Sequence, residues 1–131
     1  MEGTLSGGKK VTASDNVIVS HPISSSVTPS KTSTFYDYIS LKATFSGSVR
    51  ISMLTGSNYS SAKAIIIINI IRGNETIYTT GDLQGGTSSG LTLSNDVSDI
   101  KYGDIINIKL GTSYPNKTVS ISNFCIGGDL V

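Results

Sequence analysis

The sequence predicts an all-β protein: an antiparallel β-sandwich of jelly-roll type, with about eight strands and a polar N-terminal arm. Three observations predict it. Apolar residues recur with period two from Phe35 onward, the repeat of a strand with one buried face. Ser and Thr together exceed a quarter of the 131 residues and Ile dominates the apolar set, a composition that favours strands and turns because β-branched side chains lose rotamer freedom in helices. Gly-rich and polar stretches separate the apolar runs, and no stretch carries a helical period of useful length. A chain of this length forms one domain and buries about two-thirds of its unfolded surface.

The elements follow in order. Residues 1–16 are polar and Gly-rich and read as a mobile or docking arm; Val17-Ile18-Val19 is a candidate first strand. Ser20 to Thr34, with Pro22, Pro29 and Ser24-Ser25-Ser26, lacks apolar periodicity and reads as loop, so the arm is assigned to 1–34 and the sandwich to 35–131. Ile39, Leu41, Ala43 and Phe45 alternate with polar residues, and so do Val49, Ile51 and Met53 after Gly47. Leu91 and Leu93 open a later strand, and Ile106, Ile108 and Leu110 follow the turn Tyr102-Gly103-Asp104. The last strand starts with Val119 and Ile121 inward and changes parity to Phe124 and Ile126, which places a bulge near Ser122-Asn123.

The run Ala64 to Tyr78 carries the most information. Gly73-Asn74 interrupts it, and Gly first in a two-residue loop supplies the positive φ of a tight hairpin turn. The strand before the turn is apolar on both faces: Ile66, Ile68 and Ile70 point one way, and Ile65, Ile67 and Ile71 the other. A two-layer sandwich covers one face only, so the sequence predicts that the row Ile65, Ile67, Ile71 meets an overlying arm or a second subunit. Closure of such contacts favours a homo-oligomer, most simply a trimer.

The chain offers little to catalysis. One Cys, Cys125, excludes an intrachain disulfide and reads as a buried apolar side chain; one His, His21, sits before Pro22 in a segment read as loop. One Cys and one His cannot supply four zinc ligands. Gly3 to Lys9 matches the start of a phosphate-binding loop, but Lys10 stands where the Ser or Thr belongs and no strand precedes it. Asp96, Asp99 and Asp104 flank a turn without the spacing of a calcium loop. The N-x-S/T triplets at Asn58, Asn74 and Asn116 are about as many as composition supplies by chance. The prediction is therefore a non-enzymatic protein with no catalytic residue, no metal and no cofactor. Ten basic against nine acidic residues, with no basic stripe, argue against nucleic acid as a partner. Residues 1–8 lack the basic start and apolar core of a signal peptide, and the Ile run is too short to span a bilayer as a helix, so no membrane insertion is expected.

Gly47-Ser48-Val49-Arg50-Ile51-Ser52, then Ala64 to Glu75, then Gly103-Asp104-Ile105-Ile106-Asn107-Ile108, with Ser122 to Gly127 closing, resembles small β-sandwich modules of structural proteins in tailed bacteriophages and prophages. The resemblance spans about residues 38–127. It implies a virion structural protein exposed on the particle surface, such as a capsid decoration or tail subunit, with other virion proteins as partners; it carries over no catalytic residue. The alternative class is a receptor- or carbohydrate-binding knob recognising a cell-surface glycan. The polar loops 55–61, 81–89 and 111–117 motivate it, and the loop tyrosines Tyr59 and Tyr114 are its candidate ligand contacts in a chain without Trp.

Overall fold

The structure, a computed structural model, describes residues 3–4, 10–11, 17–21 and 25–128. Twelve strands lie among them: β1 (Gly3–Thr4), β2 (Lys10–Val11), β3 (Val17–His21), β4 (Ser25–Val27), β5 (Tyr36–Lys42), β6 (Gly47–Ser57), β7 (Ala64–Arg72), β8 (Glu75–Thr79), β9 (Leu83–Gln84), β10 (Leu91–Ile100), β11 (Ile105–Thr112) and β12 (Val119–Gly128). β1 and β2 form a small ribbon of their own. The others make two antiparallel sheets, β10-β6-β12-β3 with β4 also on β12, and β5-β11-β7-β8 with β9 also on β7. From β4 to β7, and again from β9 to β12, each connection crosses between the sheets, and this strand order is that of a jelly roll.

The period-two residues fill the space between the sheets. Val49, Ile51 and Met53 of β6 face Ile66, Ile68 and Ile70 of β7, joined by Ile106, Ile108, Leu110, Val119, Ile121, Phe124 and Ile126, all buried. Gly73 has φ 64° and joins Arg72 to its cross-strand partner Glu75, the hairpin turn that the sequence predicts. The parity change in β12 is also present: the register against β6 shifts between Ser122 and Cys125, with Asn123 at φ 52°. Asn tolerates this left-handed backbone better than most residues.

Two expectations are corrected and a third, for the Ile row, is refined. Ser20 to Thr34 is not all loop, since Ser20 and His21 belong to β3, and β4 pairs with the start of β12. The sheet thus begins ahead of residue 35: an edge strand needs only backbone donors and acceptors on one side, and polar side chains do not prevent it. Residues 5–9 and 12–16 of the arm lie outside the described residues. The second Ile row is not bare. Ile65 is 5% exposed, lying opposite Gly111, against which the Phe35 ring packs, and Ile67 and Ile71 are half-buried. The same face carries Asn69, Asn107 and Lys109, linked to Asp37 through Asn107 Nδ2 at 3.1 Å and Lys109 Nζ at 2.8 Å. The row is thus partly covered by groups of the chain itself and interrupted by polar side chains. Cys125, expected in the core, is half-buried because the bulge turns it to the outer face.

The connections sort into two ends. Segments 28–35, 58–63, 85–90 and 113–118 gather at one, and 43–46, 73–74 and 101–104 at the other.

Candidate functional site

The first of these ends brings together the two tyrosines singled out from the sequence. Tyr59, in the β6–β7 connection, and Tyr114, in the β11–β12 connection, have ring centroids 5.3 Å apart at an interplanar angle of 68°. Both are solvent-exposed, at 38% and 44%. Lys117 Nζ lies 4.2 Å from the Tyr59 ring centroid and 5.8 Å from that of Tyr114, within reach of both π systems.

Hydroxyl and amide groups hold the two connections in place. Asn58 N–H donates to the Thr118 carbonyl at 3.0 Å, and Thr118 N–H donates back to Asn58 Oδ1 at 3.1 Å. Ser57 Oγ lies 2.7 Å from both the Tyr59 and Ala62 carbonyl oxygens, which share its single proton, and accepts from Tyr59 N–H. Thr112 Oγ1 does the same for Tyr114, donating to its carbonyl and accepting from its N–H. These Ser and Thr turn motifs, with the buried Ala62, keep the polar loops in one shape. Asn116 N–H donates to the Pro29 carbonyl at 2.8 Å, which ties segment 28–35 to the cluster.

The neighbouring segment 85–90 is pinned by Thr55, a core-side residue only 1% exposed. Its Oγ1 donates to the Leu91 carbonyl and accepts from Gly86 N–H, both at 2.8 Å. A Cβ on Gly86 would stand 2.5 Å from Leu91 N and from the Thr55 carbonyl oxygen, so only glycine permits this approach. Beside it lies a shallow hollow of about 270 Å³, whose lining includes Leu54, Thr87, Ser88, Ser89, Ser120 and Ser122. Exposed rings and a held ammonium group can stack on a ligand ring and hydrogen-bond its polar rim.

The opposite end has a structural chemistry. Arg72 Nε and Nη2 meet Asp104 Oδ1 and Oδ2 at 2.9 and 2.8 Å, while Asp104 Oδ2 also accepts from Lys101 N–H. Asp104 is 1% exposed, and the Arg72 hydrogen bonds hold its carboxyl below the ordinary carboxylate range. Asp96 is likewise lowered by Arg50, which binds it with two hydrogen bonds, but this pair is exposed. Two of the three carboxylates considered for calcium are thus engaged by arginines. Asp99, the third, offers its carbonyl to Arg72 Nη2 at 3.1 Å, and the described residues contain no cluster of three or more metal-binding side chains.

Sequence reasoning found Tyr59 and Tyr114 but missed their contact and missed Lys117. The available signal was a cation three residues after Tyr114 in a turn-rich loop. Ile65, Ile67 and Ile71 lie on the outer face of β7 and contribute nothing to this cluster.

No family model matches the chain, and no curated protein matches it. Among solved structures it is similar to the CBM22-1 xylan-binding domain of Paenibacillus barcinonensis Xyn10C. The two share 14% identity with a TM-score of 0.55, and the match covers 92% of this chain and 98% of that one. At that identity the likeness shows a shared β-sandwich fold.

Proposed function

We propose that this domain is a non-catalytic carbohydrate-binding module whose ligand stacks on Tyr59 and Tyr114. The observation that carries the reading is the meeting of two exposed tyrosines from loops 55 residues apart, held by short-range hydrogen bonds with a lysine against their rings. Pyranose rings present apolar C–H faces and a polar rim, the complement of an aromatic ring beside hydroxyls. Rings inclined at 68° suit a glycan chain that turns between successive residues better than a flat crystalline surface. The similarity to a xylan-binding domain adds support at the level of fold, and it makes soluble xylan the first polysaccharide to try.

Affinity electrophoresis and calorimetry against a polysaccharide panel test the reading. Binding should fall about tenfold with Tyr59→Ala and with Tyr114→Ala, a loss of about 1.4 kcal/mol for each ring, while circular dichroism stays unchanged. Failure to bind any glycan, or binding indifferent to both substitutions, would refute it.

The virion role drawn from residues 38–127 is a separate proposal. It is compatible with glycan binding, since a surface subunit of a particle can also adhere to a host. Capsid or tail genes beside this one would support it. A trimer is likewise a proposal, which light scattering checks directly.

A further inference from the structure

We infer that the site prefers glycans that carry carboxylates, such as uronic-acid-substituted chains, over their neutral counterparts; this rests on the carbohydrate-binding reading above. The four segments at the tyrosine end, 28–35, 58–63, 85–90 and 113–118, contain Lys31, Lys63 and Lys117 and no Asp or Glu. Acidic partners are plentiful elsewhere: Arg50, Arg72 and Lys109 each bind a carboxylate. Among the described residues no carboxylate comes within salt-bridge distance of the three lysines at the tyrosine end. The protein's charges balance almost to zero overall, yet this end is uniformly cationic.

Lys117 is also placed where a ligand would be, and Lys63 and Lys31 belong to the segments beside it. Lys117 Nζ rests over the Tyr59 ring at 4.2 Å, so its long side chain has given up rotamer freedom before any ligand arrives. A sugar stacked on Tyr114, whose ring centroid lies 5.8 Å from Lys117 Nζ, brings an equatorial C5 carboxylate to the rim of that ring, within reach of the ammonium group. Lys63 is fixed at the backbone, where its N–H donates to Ser113 Oγ at 2.7 Å, next to Tyr114. Lys31 follows Pro29, whose carbonyl binds Asn116 N–H. A field of one sign across a binding end raises the local concentration of anionic ligand and weakens with salt.

The decisive comparison measures dissociation constants for glucuronic-acid-substituted xylan and neutral xylan free of uronic acid, of matched length, at low salt, with dextran sulfate as a polyanion control. The expected result is tighter binding of the acidic xylan by about threefold or more. The preference should shrink in 0.5 M NaCl, disappear in the triple variant Lys31→Gln/Lys63→Gln/Lys117→Gln, and survive in Lys117→Arg. Equal affinity for both xylans, or a preference that outlasts the triple variant, overturns the inference and leaves the carbohydrate-binding reading intact. Tighter binding of dextran sulfate than of acidic xylan, unaffected by Tyr59→Ala, overturns it in favour of simple polyanion attraction. Absence of binding to either xylan overturns the inference, and the carbohydrate-binding reading falls with it only if the wider panel is also negative.

Discussion

The two ends of this sandwich are built from the same kind of crossover but stabilised by opposite means. At the 101–104 end a buried aspartate is satisfied by a bidentate arginine and a backbone amide, and its connections are short. At the 113–118 end hydroxyl groups serve the backbone, the aromatic rings stay in water and the lysines have no carboxylate among the described residues. The first arrangement satisfies its charges inside the molecule. The second leaves π faces and positive charge available to something outside it. The difference teaches that the fold is fastened at one end and presented at the other.

The comparison is broken most severely at the fastened end. Asp104→Ala leaves Arg72 without its carboxylate and Lys101 N–H without an acceptor, and should cost about 2–4 kcal/mol of unfolding free energy in denaturant titration. Polysaccharide affinity should not change, and a parallel loss would mean the ends are coupled. Next in size is Gly86→Ala, whose new methyl group must push against backbone at 2.5 Å. It should cost about 1–3 kcal/mol by overpacking and displace segment 85–90, visible as shifted amide resonances there.

Acid sharpens the contrast. The folded carboxyl of Asp104 lies below its ordinary value of 3.8, so its contribution is complete above that value and is lost as pH falls through the folded pKa. Melting temperature should therefore drop below about pH 4, more shallowly in Asp104→Asn. The smallest effect belongs to Arg50→Ala. The Arg50–Asp96 pair is well exposed, and such pairs contribute about 0–1 kcal/mol, so melting should barely move.

Legibility in the sequence followed the same division. The apolar period exposed the core strands, the Gly73-Asn74 turn and the Asn123 bulge, because each leaves a mark within a few residues. β3 and β4 were less legible, since an edge strand is defined by backbone pairing to β12, about a hundred residues away. The outer face of β7 was only partly legible for a related reason. Its Ile row is accompanied by Phe35 from segment 28–35 and by Lys109 and Asn107 from β11, neighbours that no local pattern reveals. Tyr59 and Tyr114 could be picked as loop aromatics, but their meeting depends on the jelly-roll crossing, which no local pattern encodes.

The reciprocal hydrogen bonds between Asn58 and Thr118 bear on how quickly a ligand could be captured. They close the two tyrosine-bearing loops into one ring of chain, so neither loop can swing as a lid without breaking the other's contacts. A platform assembled in advance asks nothing of the protein at the moment of encounter. Association should then be a single concentration-dependent phase, with no slower step of closure behind it, and selectivity among ligands should reside in residence time.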